Sequence, residues 1–171
     1  FGVELPKLPK KIPTITLKDA QILIKKEYGR DNTSEPDLEP QDEKDLSEYY
    51  LKNENSDFVF VTHFPTSKRP FYAYPTKADP TVTDSFDLIY RGIEVTTGGQ
   101  RIHDYNQLIE KIKERKLDPK NFESYLEAFK FGMPPHGGLA IGLERLTAKF
   151  LNLDNVKKAT LFPRDLKRLT P

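Results

Sequence analysis

The sequence predicts an α+β fold: an antiparallel β-sheet flanked by helices. Three observations carry that prediction. Short apolar, β-forming runs cluster in the middle of the chain, among them FVFVT at 58–62 and SFDLIY at 85–90. Stretches of helical periodicity lie before and after them. Two of the β runs, Ser85–Tyr90 and Gly92–Thr97, meet around Arg91-Gly92, and so tight a turn joins antiparallel neighbours.

In chain order, residues 1–15 hold Pro6, Pro9 and Pro13 among lysines and read as an extended lead-in. Thr16 is the expected N-cap of a helix over Leu17–Tyr28. Leu17, Ala20, Leu23 and Ile24 share its apolar face, and Gly29 is its stop. Residues 29–40, GRDNTSEPDLEP, are acidic, polar and broken by two prolines, which predicts a loop. Gln41–Asn53 has helical spacing through Leu46, Tyr49 and Tyr50. Strands are expected at Phe58–Thr62 and in the Pro-bounded run Pro70–Pro75, with a loop over 76–83. After the hairpin come two amphipathic helices, Asp104–Lys116 and Pro119–Phe131. A Gly/Pro loop over Gly132–Gly138 leads to a strand at Leu139–Leu143 and a helix at Arg145–Leu153. No internal repeat or low-complexity segment is visible. The expected organisation is one domain: residues 1–56 as lead-in and helices, residues 57–171 as the sheet core.

Composition narrows the function classes. The 171 residues are 36% hydrophobic with eleven Phe and eight Tyr, enough for a real core. The 27 basic and 26 acidic side chains leave a formal charge of +1, so no global basic field draws in nucleic acid. The absence of Cys excludes disulfides and thiolate metal sites, and suits a cytoplasmic protein. No apolar run approaches the ~20 residues of a membrane span, and the opening FGVELPKLPKKIP lacks the apolar core of a signal peptide. A start at Phe1 suits a processed or trimmed chain.

Three constellations carry chemistry. In the hairpin, Asp87 lies between Phe86 and Leu88, and Glu94 between Ile93 and Val95. Strand alternation puts each acid opposite its apolar neighbours, and across the turn both reach one side. Two close carboxylates suit Mg²⁺, which takes one or two of them plus substrate phosphates; the other reading is a solvated polar face. Next, Thr96-Thr97-Gly98-Gly99-Gln100-Arg101 combines glycines that let a backbone approach a ligand with an Arg fork for a carboxylate or phosphate. Its alternative is a β-bulge with an exposed Arg. Third, Pro134-Pro135-His136-Gly137-Gly138 feeds a small-residue strand that ends at Gly142-Leu143-Glu144-Arg145. A helix N-terminus favours an anion, and Arg145 there adds a charge clamp for a phosphate. His136 is either a loop residue or a nucleotide contact, and His63 reads as structural.

Together these pieces resemble the class II aminoacyl-tRNA synthetases. GGLAIGLERL looks like their motif 3. FDLIYRGIEVTTGGQRIHDY, FKFGMPPHGG and LFPRDLKRLTP are similar to the archaeal and eukaryotic type of aspartyl-tRNA synthetase. The resemblance runs from Ile12 to Pro171 and implies a role for each matching position. Asp87 and Glu94, with Thr97 where the family usually has Ser, would hold Mg²⁺ on ATP. Arg101, beside Gly98, Gly99 and Gln100, would read the aspartate side-chain carboxylate. Gly142, Glu144 and His136 would line the nucleotide site, and Arg145 would hold the γ-phosphate. The implied substrates are aspartate and ATP, with tRNA(Asp) and a homodimer in the full-length enzyme.

The resemblance stops short at the N-terminal side. Residues before Asp57 contain one Arg, Arg30, and no Arg-x-Glu strand of the motif 2 kind, whose Arg holds the α-phosphate. Motif 1 and an anticodon-reading barrel are also missing from these residues. The sequence therefore reads as part of an aspartate–tRNA ligase catalytic core, inactive by itself. Its alternatives are a free-standing, truncated synthetase-like protein that binds a nucleotide or a partner without catalysis, and a relative of asparaginyl-tRNA synthetase or asparagine synthetase. An exposed sheet edge and apolar surface are expected where the missing half would pack.

Overall fold

A computed structural model of the chain describes residues 2–170; Phe1 and Pro171 lie outside them. The elements are β1 (Thr14–Thr16), α1 (Leu17–Tyr28), α2 (Pro40–Glu54), β2 (Phe58–Thr62), β3 (Ser85–Tyr90), β4 (Ile93–Arg101), α3 (Tyr105–Glu114), α4 (Glu123–Lys130), β5 (His136–Ile141) and α5 (Leu143–Phe150). The strands form one mixed sheet in the order β1-β2-β3-β4-β5, with helices flanking it. This is the α+β class read from the sequence.

Several elements differ from this reading, among them β4, which runs to Arg101 rather than ending at Thr97. Pro70–Pro75 is not a strand. It makes only the isolated bridges Ala73 to Arg101 and Pro75 to Thr83, and prolines at both ends withhold two ladder donors. The second amphipathic stretch divides into a 3₁₀ turn, Pro119–Phe122, and α4. Strand β5 begins at His136, so His136-Gly137-Gly138 is strand and not loop; α5 begins two residues before Arg145.

The described residues form two compact units. The first takes the chain up to Val61, Asp87–Thr97 and the chain from Ala140 onward. Here Thr16 Oγ1 accepts the Asp19 amide at 3.1 Å and Gly29 ends α1 at φ 73°, the cap and stop marked in the sequence. Leu17, Ala20, Ile24, Leu46, Val59 and Val61 are buried. The loop after α1 is anchored rather than merely solvated. Arg30 Nη2 lies 2.6 Å from both Asp42 Oδ1 and Asp45 Oδ2, and the fully buried Asp42 also accepts the Glu39 amide at 2.9 Å. At the hairpin, Arg91 and Gly92 have φ 46° and 79°. Two successive positive values match the type I′ turn, whose twist follows that of paired strands. Arg91 pays a steric penalty there that Gly92 does not. Asp57 holds it in place: its Oδ1 accepts from Arg91 Nε at 3.1 Å and its carbonyl from the Arg91 amide at 3.2 Å.

The second unit is Thr62–Phe86 with Gly98–Leu139. Its core is Ile102, Leu108, Ile112, Leu126 and Phe129, with Phe71 and Tyr72 packed against it. Leu108 and Ile112, four apart on α3, point one stripe inward. Complete burial of each such side chain contributes roughly 1.5–3 kcal/mol. Arg115 donates to the carbonyls of Thr66, Ser67 and Arg69 at 2.7–2.8 Å and so fastens the loop after β2.

Candidate active site

Of the residues expected at the nucleotide and metal, Asp87, Glu94, Thr97, Gly142, Glu144 and Arg145 fall in the first unit, and His136 falls in the second. Asp87 is only 7% exposed, while its strand neighbours Phe86 and Leu88 are more open. A solvated polar face does not describe it. A buried carboxylate is costly without compensating charge or hydrogen bonds. Glu94, early in β4, is half-buried. Arg145 stands in the first turn of α5 and donates from Nη1 to the Glu94 carbonyl at 3.1 Å; the same nitrogen is 3.7 Å from Glu94 Oε1. The start of α5 is tied to β4 as well, since the Gly142 amide donates to the Val95 carbonyl at 2.7 Å. Glu144 is exposed, and Thr97 is half-buried farther along β4.

A residue that sequence reasoning missed completes this group. Glu43 of α2 accepts the Glu94 amide on Oε2 at 3.1 Å. Burial pushes its carboxyl up to about 7. The Glu94 and Asp87 charges add to the rise, and the Glu94 N–H and Arg145 oppose it. Glu43 therefore feels Asp87, Glu94 and Arg145 together. Three carboxylates against one arginine leave an excess of negative charge, which a cation would relieve. Among the described residues, no group of three or more His, Cys, Asp or Glu has the arrangement to hold a metal alone. Such a set fits a Mg²⁺ whose coordination is completed by phosphate oxygens and water.

The residues proposed for the amino acid, Gly98, Gly99, Gln100 and Arg101, fall in the second unit, and His136 lies there too. The Arg101 guanidinium carbon sits 5.1 Å from the Tyr72 ring centroid, within cation–π range. On another side it presses on Gly138: a Cβ added there would lie 2.6 Å from Arg101 Nη2. Arg101 is half-buried and braced rather than a free surface side chain. The space a Cβ would need at Gly99 is filled by Asp84 O at 2.7 Å and Ser85 Cα at 2.8 Å. That glycine lets the neighbouring strand approach closely. Gly99, Gln100 and His136 line one open groove of about 760 Å³ with Asp84 and Gly137. His136 Nδ1 is 3.0 Å from the Pro134 carbonyl, and its ring lies 5.9 Å from that of Phe129. His136 thus keeps company with Gln100, in the other unit from Arg145. His63 has φ 60° and an Nδ1 contact to Thr62 Oγ1 at 2.8 Å.

Comparison with known proteins fits this geometry. The family model described as tRNA synthetases class II (D, K and N) matches residues 2–166. The aspartate–tRNA(Asp/Asn) ligases of Deinococcus radiodurans and Thermus thermophilus are each 51% identical to the chain over 100% of its length, which is 40% of theirs. Among solved structures, an aspartyl-tRNA synthetase from Entamoeba histolytica matches with TM-score 0.90 and 37% identity, over 99% of this chain and 34% of that one. An asparaginyl-tRNA synthetase from Pyrococcus horikoshii, complexed with asparaginyl-adenylate, matches with TM-score 0.85 and 33% identity, over 95% and 36%. The chain thus spans about 40% of the length of the curated relatives it matches. A match over nearly every residue, with relatives half identical from end to end, makes this chain a member of the class II tRNA synthetases (D, K and N).

Proposed function

We propose that the chain supplies the ATP, Mg²⁺ and aspartate-reading part of an aspartate–tRNA ligase catalytic domain. The observation that carries the reading is the shared neighbourhood of Asp87, Glu94, Glu43 and Arg145, an anionic cluster with one arginine at a helix start. The aspartate–tRNA ligases among its relatives support aspartate as the amino acid.

In this reading Asp87 and Glu94, with the Thr97 hydroxyl, hold Mg²⁺, which offsets phosphate charge when bound. Arg145 swings from the Glu94 carbonyl to the γ-phosphate, and Gly142 and Glu144 shape the adenine site. Arg101 reads the aspartate side-chain carboxylate with its planar fork. Gly98, Gly99 and Gln100 border the amino acid, and His136 the nucleotide. The aspartate α-carboxylate oxygen attacks the α-phosphorus of ATP, the bond to the bridging oxygen breaks, and pyrophosphate leaves with that electron pair. The aspartyl group then passes to a hydroxyl at the tRNA 3′ end, releasing AMP. The chain's residues act by positioning and charge compensation, with no acid–base pair required.

The α-phosphate needs an arginine that residues 1–171 do not supply, so we assign adenylate formation to the complete synthetase and not to this chain alone. The exposed Leu139 and Ile141 of β5, with Leu143, Leu161 and Phe162, would then pack against the rest of that enzyme. A cytoplasmic homodimer is part of the proposal. The test is charging of a tRNA(Asp) transcript with labelled aspartate by the complete synthetase. Charging with aspartate supports the reading, and charging with asparagine in its place overturns it. Because two relatives carry tRNA(Asp/Asn) in their names, a tRNA(Asn) transcript belongs in the same assay.

A further inference from the structure

We infer that Glu43 and Ser47 of α2 are positioning residues for Glu94, a clamp that fixes where the metal-facing hairpin begins. The inference rests on the assignment of Glu94 to Mg²⁺ made above. Two amides at the hairpin, Gly92 and Glu94, take side-chain oxygens as acceptors. Both come from one turn of α2. Ser47 Oγ accepts the Gly92 amide at 2.8 Å, and Glu43 Oε2 accepts the Glu94 amide at 3.1 Å. Residues 43 and 47 are four apart, so they stand on one face of the helix. Lys44 closes the contact, because a Cβ on Gly92 would lie 3.0 Å from its Cγ.

The consequence lies in the Glu94 peptide. Its N–H goes to Glu43 and its C=O to Arg145. A strand residue has two soft dihedrals, and here the groups on both sides of them are pinned by side chains from different helices. The Arg145 contact is lost if that arginine moves to a phosphate, so Glu43 is the anchor that persists through binding. Loss of a hydrogen bond to this half-buried acceptor frees the amide to move. Glu43 needs no contact with the metal for this role.

The test uses the complete synthetase with Glu43→Ala, Glu43→Gln and Ser47→Ala. Two measurements are read: the Mg²⁺ concentration for half-maximal aspartate-dependent ATP–pyrophosphate exchange, and hydrogen exchange of the Glu94 amide in the metal-free protein. Glu43→Ala should raise the half-saturating Mg²⁺ and the amide exchange rate about tenfold or more, with KM for aspartate little changed. Glu43→Gln keeps an acceptor oxygen and should restore both. Ser47→Ala should shift both in the same direction by less. An unchanged Mg²⁺ requirement in a folded Glu43→Ala protein overturns the role, even where amide exchange accelerates. Glu43→Gln as impaired as Glu43→Ala also overturns it, since charge and not the hydrogen bond would then matter. A wild type without aspartate-dependent exchange sinks the reading of the site, and the role of Glu43 goes with it.

Discussion

Arg145 Nη1 lies 3.1 Å from the Glu94 carbonyl oxygen and 3.7 Å from Glu94 Oε1, joining the first turn of α5 to the start of β4. The contact brings an anion-seeking helix start beside a proposed metal ligand, the pairing a metal–polyphosphate needs. It also predicts a division of labour. In the complete synthetase, Arg145→Ala should lower kcat/KM for ATP by roughly 10²–10³. Steady-state kinetics should show KM for aspartate nearly unchanged. A parallel loss in both substrates would mean that Arg145 supports the whole fold.

Arg101 is braced by Tyr72 on one side and Gly138 on another. Arg101→Lys loses the planar fork, and Gly138→Ala puts a methyl 2.6 Å from Arg101 Nη2. Misplacement of a positioning group by an ångström costs about 10²-fold. Both variants should lose activity toward aspartate on that scale while retaining KM for ATP. A Gly138→Ala enzyme of parental efficiency would show that the guanidinium has other room.

The proposed helix-to-loop anchor is a stability matter. Arg30 pairs with both the buried Asp42 and Asp45 carboxylates. Removal of one partner from a buried pair typically costs ~3–5 kcal/mol. Because Arg30 keeps part of its surface in water, Arg30→Ala should fall at the lower end in urea denaturation. A change below about 1 kcal/mol, the range of surface pairs, would show that water reaches the carboxylates.

Glu43 gives a pH dependence whose sign is fixed. Its carboxyl is raised from 4.5 to about 7 in the folded chain, first by burial. A raised acid contributes stability that is present below the unfolded value and is lost as pH rises through the folded one. In metal-free buffer with a chelator, the stability of the parent relative to Glu43→Gln should therefore decline between pH 4.5 and 7. A difference that stays flat, or rises, across that window contradicts the burial of this carboxylate.

Much of this was legible in the sequence, for physical reasons that differ by residue. Thr16 and Gly29 announce a helix because capping is local chemistry. Arg91-Gly92 announces the hairpin because a two-residue turn has few solutions. The motif stretches around Asp87, Glu94, Arg101 and Arg145 point to the family through residue identity and order. By sequence His136-Gly137-Gly138 reads as loop because glycines usually break strands; there, contact of Gly137 with Gly99 and of Gly138 with Arg101 requires them inside one. The aromatic run Pro70–Pro75 has the composition of a strand, but its prolines limit it to single bridges. The burial of Asp87 is a tertiary property that alternation alone cannot give. Glu43 stayed hidden because it acts on a backbone amide more than fifty residues away. The only local signal is its i, i+4 spacing to Ser47 on α2.

The most direct test of the central claim is amino-acid-dependent ATP–pyrophosphate exchange, run on the complete synthetase and on the 171-residue chain alone. The account predicts exchange by the complete enzyme with aspartate and little with asparagine. It predicts that the chain alone falls short of the complete enzyme by at least about 10²–10³, the cost of one missing preorganised charge. Preference for asparagine, or exchange by the chain alone within about tenfold of the complete enzyme, would contradict it.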